Sequence, residues 1–313
     1  MARLPPMLLP QLRAAFLVHE GVHDSASAEF AKLAPRVRAV AGGGESKVNA
    51  ELLALLPALE IISVMGVGYD GIDVKAAKAR GIVVTHTPDV LNDDVADLAI
   101  GLMLSAARQL PAADRYVRAG HWTQGAMPLA RKMSGARLGL VGMGRIGQAI
   151  ALRALAFGMD VAYTARRPKD VPYRYLPSAV ALAEQADFLV VITPGGAATR
   201  HMVNAQVLAA LGHHGILVNV ARGSVVDEAA LIDALERGVI AGAGLDVFED
   251  EPNVPERLRA LPQVVLTPHI GSATGQTRQA MADRALANLS AHFSGRPLPS
   301  PVPECRANAE GVE

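Results

Sequence analysis

The feature that most constrains this chain is the stretch Leu138–Gly147, which reads Leu-Gly-Leu-Val-Gly-Met-Gly-Arg-Ile-Gly. A short apolar run ends at Val141, and Gly142, Gly144 and Gly147 follow in G-x-G-x-x-G spacing. Residues 148–157 are Ala- and Leu-rich and read as a helix. Strand, glycine turn and helix in that order suit a dinucleotide pyrophosphate. Gly142 permits the tight turn, Gly144 lets backbone approach the phosphates, and Gly147 lets the helix pack on the strand. The N–H groups of the first helical turn, at Arg145 and Ile146, then face the anion. In a chain with 29 glycines the spacing also arises by chance. The strand before it and the helix after it carry the reading.

At 313 residues the chain is long enough for two domains, each with its own core. Lys+Arg and Asp+Glu stand at 30 each, so the charge gives no reason to expect nucleic acid or an anionic membrane as partner. Cys305 is the single cysteine, which suits a reducing cytoplasm. The apolar start Met1–Pro10 is broken by Pro5, Pro6 and Pro10 and reads as a loose arm, not a signal peptide. No uncharged apolar run reaches the ~18 residues of a membrane span. The composition predicts a cytoplasmic protein.

Strand-like runs alternate with Ala/Leu-rich helical stretches throughout, the pattern of βαβ units and parallel sheets. The first lobe has predicted strands at Ala14–His19, Val37–Ala41, Ile61–Val64 and Ile82–Thr85. Its helices are predicted at Ser25–Leu33, Val48–Leu55 and Val74–Arg80. A long helix over Asp93–Gln109 leads out of this lobe, and Gly120–Ser134 reads as a connecting arm. The second lobe starts at Leu138, with strands at Val161–Thr164, Phe188–Ile192, Ile216–Val220, Ala241–Leu245 and Val264–Thr267. A final helix over Gln276–Phe293 ends in the Pro-rich tail Pro297–Pro303.

Three places are candidates for chemistry. Met65–Asp70 follows the third strand, where ligands of open α/β sheets sit. Its glycines can offer consecutive N–H groups to a carboxylate; a plain Gly-rich turn is the equal alternative. Ala165-Arg166-Arg167-Pro168 ends the strand after the glycine helix. An Asp or Glu is usual there for a free ribose 2′-hydroxyl, whereas a small residue with two guanidinium groups suits a 2′-phosphate. Read blandly, the arginines are solvated. The third place is dispersed: Arg222, Asp246, Glu251 and His269 each follow a strand on the same carboxyl edge as Gly142–Gly147. Taken singly, each has a duller structural explanation. Together, arginine, carboxylate and histidine are the parts for reducing a 2-oxo acid. Arg222 holds the substrate carboxylate or polarises its carbonyl. His269, kept protonated by Glu251, gives a proton to the oxygen as hydride arrives at carbon.

The chain resembles the D-isomer-specific 2-hydroxyacid dehydrogenase family over nearly its whole length. The likeness rests on residues 142–147, on Val218-Asn219-Val220-Ala221-Arg222-Gly223, on Gly244–Pro252 and on Thr267-Pro268-His269-Ile270-Gly271. The resemblance implies an α/β fold of two Rossmann-like or flavodoxin-like doubly wound parallel-sheet domains with a cleft between them. Residues 1–98 and 275–313 would form a discontinuous substrate-binding domain and residues 99–274 the dinucleotide-binding domain. It implies Arg222, Glu251 and His269 as catalytic residues, and Val67, Gly68, Arg222 and His269 as substrate contacts. Cofactor contacts would come from Gly142, Gly144, Arg145, Ile146, Gly147, Arg166, Arg167, Thr193, Pro194, Thr199, Val220, Asp246 (near the nicotinamide) and Gly271. A homodimer built through the cofactor domain is implied as well.

Residues 92–99 and Phe248–Val254 look most like the glyoxylate/hydroxypyruvate and hydroxyphenylpyruvate reductases, whose NADPH preference agrees with Arg166-Arg167. The expectation is therefore NADPH-dependent reduction of a small 2-oxo acid, with NADPH preferred over NADH. Residues 194–199 depart from the family, whose members usually carry Leu-Thr after the proline. Reduction of bulkier hydroxyphenylpyruvate-type acids is one alternative, and a nucleotide-sensing corepressor-like protein is another, because fold alone decides no function. Formate dehydrogenases of this scaffold carry an amide where Glu251 stands. His213-His214, adjacent on a predicted turn, lack a ligand cluster at useful spacing, and no metal is expected.

Overall fold

The structure, a computed structural model, describes residues 6–20, 27–44 and 46–306. It divides into two compact units, one from the stretches before Asn92 and after Ala273, the other from Asn92 to Ala273. The sequence-expected boundary at residue 98 falls inside the helix Asn92–Arg108, which belongs whole to the second unit.

In the first unit, β1 (Ala39–Gly43), β2 (Ile61–Met65) and β3 (Val83–Thr85) form a parallel sheet in the order β1-β2-β3. All five residues of β2 are buried because both faces are covered. Ile62 and Val64 point into a cluster with Leu53, Leu56, Ile82 and Val84. On the other face the Ser63 hydroxyl donates to the Ala285 carbonyl of the helix Gly275–Phe293. The strand expected at Ala14–His19 is a correction. Leu8–Ala15 is helical, and residues 16–20 join no strand among the described residues. Leu8 and Leu12, four apart, are 0% and 3% exposed, whereas Leu17 is 87% exposed. Burying the i, i+4 pair outweighed the local strand preference of the residues after it. The same helix corrects the loose arm at residues 8–10, and Met1–Pro5 lie outside the described residues. Of the helix expected at Ser25–Leu33, Ala28–Leu33 forms with Ser27 as N-cap, its hydroxyl accepting from the Phe30 N–H; Ser25 and Ala26 lie outside the described residues.

The second unit holds seven parallel strands: β4 (Arg137–Val141), β5 (Asp160–Thr164), β6 (Arg174–Tyr175), β7 (Phe188–Val191), β8 (Ile216–Asn219), β9 (Gly242–Leu245) and β10 (Val264–Leu266). Their spatial order is β10-β9-β8-β7-β4-β5-β6. The chain winds outward from β4 to one edge, returns, and winds outward to the other. This reversal leaves a crevice at the carboxyl ends of β4 and β7, where open α/β sheets bind ligands. The helices Asn92–Arg108 and Arg145–Leu155 pack together, and the first also lies on β8 and β9. Leu182, Leu208, Leu211, Leu231 and Leu235 cluster with Leu189, Leu217 and Leu245 of the sheet. Full burial of such a side chain is worth about 1.5–3 kcal/mol. Sandwiched strands need no polar face, which explains the unbroken run Phe188-Leu189-Val190-Val191. Short β6 was not legible in sequence, nor was the helix Leu110–Arg118, which starts after Gln109 turns left-handed at φ 52°. The expected arm over residues 120–134 contains one short 3-10 turn, His121–Thr123. No described helix is long and apolar enough to cross a membrane.

Candidate active site

The glycine turn opens directly from β4 at the point of reversal. Gly142 has φ +115°, and a Cβ there would stand 2.8 Å from the Ile192 carbonyl oxygen at the end of β7. A Cβ on Gly147 would stand 2.6 Å from the Gly142 carbonyl oxygen. Both glycines are thus required by the protein's own packing. Gly144 differs, since nothing lies within 4 Å of its Cβ position. It is the N-cap of the helix Arg145–Leu155 and brings no side chain to the first-turn N–H groups. The backbone is left open to an external anion, which is the cradle a pyrophosphate requires.

Around this turn, β5 ends at Thr164, followed by half-exposed Ala165 and then exposed Arg166 and Arg167. Neither guanidinium is taken by a carboxylate among the described residues. Thr193 lies in the loop after β7, its nitrogen 3.0 Å from the Cβ position of Gly142. The Thr199 hydroxyl donates to the Pro194 carbonyl at 2.7 Å and closes residues 194–199 into a compact turn. Val220 is buried, its N–H donating to the Val191 carbonyl.

Because β8, β9 and β10 are neighbours, the residues that follow them are neighbours too. Asn219 ends β8, and its side chain donates to the Arg222 carbonyl at 3.0 Å and accepts from the Ala221 N–H at 3.1 Å. That local ring turns the chain and presents Arg222, whose Nη1 donates to the Ala221 carbonyl. Gly223 then passes so close to Phe248 that a Cβ would fall 1.9 Å from its carbonyl carbon. The close passage brings Arg222 within electrostatic reach of Glu251.

Glu251 uses both carboxylate oxygens. Oε1 accepts from the Phe248 N–H at 3.0 Å, and Oε2 lies 2.7 Å from His269 Nδ1. Burial pushes its pKa up, but the His269 hydrogen bond and charge, the Phe248 N–H and the Arg222 charge outweigh burial and hold the group below its ordinary range. It is a carboxylate at neutral pH. With Nδ1 engaged by Glu251, Nε2 lies on the opposite side of the imidazole ring.

His269 sits at φ +51°, left-handed backbone that a non-glycine residue adopts only when its surroundings require it. Asp246 supplies that requirement. Its carbonyl accepts from the His269 N–H at 2.9 Å. Its Oδ1 accepts from the Thr267 hydroxyl at 2.6 Å and the Ile270 N–H at 2.8 Å, and Oδ2 from the Gly271 N–H at 2.8 Å. Asp246 is 2% exposed. Burial raises its pKa, and these three donors offset part of the rise. Its carboxylate therefore serves the loop that carries His269. Gly271 lies against it, with a Cβ position 3.2 Å from Oδ2.

Val67 and Gly68 lie in the first unit, on the turn after β2. Sequence reading placed Asn219, Asp246 and Phe248 inside quoted motifs but missed what they do here, because Asn219, the Phe248 N–H and most of the Asp246 bonds act on or through backbone groups that every residue carries.

The family described as D-isomer specific 2-hydroxyacid dehydrogenase, NAD binding domain, matches residues 100–271. The chain is 53% identical to glyoxylate/hydroxypyruvate reductase A of Arabidopsis thaliana, over 85% of each chain. It is 50% identical to a hydroxyphenylpyruvate reductase of Plectranthus scutellarioides, over 86% of each. Among solved structures, an NADPH-dependent glyoxylate/hydroxypyruvate reductase of Sinorhizobium meliloti, in complex with NADP and malonate, superposes with a TM-score of 0.92. The two are 47% identical, with 99% of this chain and 98% of the other covered. With the fold, the site and these likenesses in agreement, the chain belongs to the D-isomer-specific 2-hydroxyacid dehydrogenase family.

Proposed function

We propose that this protein reduces small 2-oxo acids, glyoxylate and hydroxypyruvate, to the corresponding 2-hydroxy acids with NADPH. The observation that carries the reading is the Glu251–His269 pair with Arg222 beside it, on the same sheet edge as the open Gly144 turn. In this reading the unit from Asn92 to Ala273 is the dinucleotide-binding domain and the other unit binds substrate. NADPH, when bound, supplies the hydride. Gly142, Gly144 and Gly147 with the N–H groups of Arg145 and Ile146 take the pyrophosphate, and Arg166 and Arg167 take the 2′-phosphate. Thr193, Pro194, Thr199, Val220, Asp246 and Gly271 line the remainder of the cofactor site.

His269 donates the proton from Nε2 to the substrate's oxo oxygen, and the Glu251 carboxylate stabilises the imidazolium that holds it. Arg222 offers a forked, permanently charged donor to the carboxylate or to the oxygen on which negative charge grows. The Val67–Gly68 turn offers backbone N–H groups to a carboxylate. The reading includes a cytoplasmic homodimer. Leu110, Val117, Trp122 and Leu129 of one segment are all exposed, Trp122 by 70% and Leu129 completely, and a second copy would cover them.

Loss of NADPH absorbance with glyoxylate, hydroxypyruvate, pyruvate and 4-hydroxyphenylpyruvate tests the reading. The highest kcat/KM is expected with the first two. Turnover of none of the four overturns the proposal, and a best value with 4-hydroxyphenylpyruvate moves it to the bulkier acids.

A further inference from the structure

His86 is buried, 7% exposed, and lies outside every motif that led to the site. Its backbone is clamped on both sides. The His86 N–H donates to the Ser300 carbonyl at 3.1 Å, and the His86 carbonyl accepts from the Ser300 hydroxyl at 2.6 Å. Tyr69 stacks edge-on against the ring, with centroids 5.3 Å apart. The anchored ring places Nδ1 at 3.0 Å from the Val67 carbonyl oxygen. A carbonyl only accepts, so Nδ1 carries the hydrogen. Nε2 is buried and has no hydrogen-bond partner among the described residues. Burial lowers the pKa of His86, offset in part by the Val67 carbonyl, which agrees with a neutral ring.

The consequence lies on the other side of the peptide. In a trans peptide the C=O and the following N–H point in opposite directions. Drawing the Val67 oxygen toward His86 therefore turns the Gly68 N–H away from it. The next residue repeats the device, because the Thr87 N–H donates to the Gly66 carbonyl at 2.9 Å and turns the Val67 N–H away likewise. Two consecutive N–H groups face one side, the arrangement of a backbone anion nest. Among the described residues neither N–H is given to a protein acceptor. Gly66 is held close as well, its Cβ position 3.0 Å from the Gly44 Cα.

We infer that His86 is a positioning residue for substrate, holding the Val67–Gly68 turn with its N–H groups directed outward to bind the carboxylate of the 2-oxo acid. The inference rests on the 2-oxo acid reductase reading above. Removing the His86 donor frees the Val67–Gly68 peptide to rotate and weakens carboxylate binding, while cofactor binding and the proton donor stay intact.

His86→Phe keeps a ring against Tyr69 without the donor. His86→Asn keeps the donor, because the amide nitrogen of Asn sits as many bonds from Cβ as Nδ1 does. His86→Phe is expected to raise the KM for glyoxylate and the inhibition constant of oxamate about tenfold, with kcat and the KM for NADPH within about twofold. His86→Asn is expected to restore both to within about threefold of the unmodified protein. An unchanged glyoxylate KM in His86→Phe, a parallel rise in both KM values, or an Asn variant as impaired as the Phe variant overturns the inference. A readout on the unmodified protein stands if His86→Phe does not fold. Adding oxamate to the NADPH-saturated, isotopically labelled protein is expected to shift the Val67 and Gly68 amide resonances most, and unmoved resonances overturn the inference. Absence of any 2-oxo acid turnover by the unmodified protein would instead remove the functional reading, so the two failures are distinguishable.

Discussion

His269 Nδ1 and Glu251 Oε2 stand 2.7 Å apart, and the other oxygen of Glu251 is held by the Phe248 N–H. The imidazole is therefore oriented by a carboxylate that is itself fixed to backbone.

His269→Ala is expected to lower kcat by ~10²–10⁴-fold, the usual contribution of a general acid. Arg222→Ala should lower kcat/KM for glyoxylate strongly. Both variants should bind NADPH as the unmodified protein does, measured by fluorescence titration. Near-normal turnover by His269→Ala across the pH range would refute the proton-donor role.

Glu251→Gln tests the pair through pH. Because Glu251 is held below its ordinary value of 4.5, it remains charged throughout the neutral range and favours imidazolium at His269. Removing that charge should move the alkaline limb of the kcat profile for reduction to lower pH. An unmoved limb means that Glu251 does not tune His269. The sign for stability follows from the depressed folded pKa. The contribution of Glu251 is present above the unfolded value and is lost as pH falls through the folded one. Acid unfolding monitored by circular dichroism should consequently be shallower in Glu251→Gln.

In the proposed reading, the preference for NADPH comes from Ala165, Arg166 and Arg167. A 10²-fold preference for NADPH in kcat/KM corresponds to ~2.7 kcal/mol, within reach of one or two charge-assisted hydrogen bonds of ~1.5–3 kcal/mol each. Ala165→Asp combined with Arg166→Ala should erase or invert the preference, chiefly through the KM for NADPH. Equal use of NADH and NADPH by the unmodified enzyme would return both arginines to ordinary solvated residues.

The glycines separate folding from binding. Gly147→Ala forces a Cβ against the Gly142 carbonyl and should cost about 1–3 kcal/mol, seen as a lower Tm. Gly144→Val has open space around its Cβ and should leave Tm nearly unchanged while weakening NADPH binding at least tenfold. A Gly144→Val variant that binds NADPH normally would remove the pyrophosphate from this turn.

The sequence by itself determined the elements that depend on near neighbours. Alternating apolar runs and helical stretches specified nine of the ten strands among the described residues to within a few residues, since a strand buried on both faces is apolar throughout. The glycine turn and Ala165-Arg166 were legible because backbone freedom and charge are properties of the residues themselves. Where local preferences competed, tertiary packing decided: Leu8 and Leu12 made a helix beside a predicted strand, because burying both on the helix Gly275–Phe293 was worth more than local propensity. The reversal of strand order at β4 and β7 is invisible to periodicity, which carries no information about which strand lies beside which. That order alone makes neighbours of Arg222, Asp246 and His269. The left-handed turn of His269, enforced by a carboxylate 23 residues earlier, and the His86 bond to Val67 across 19 residues are decisions of the fold. Each depends on where a backbone N–H or carbonyl comes to rest, and every residue carries those groups alike.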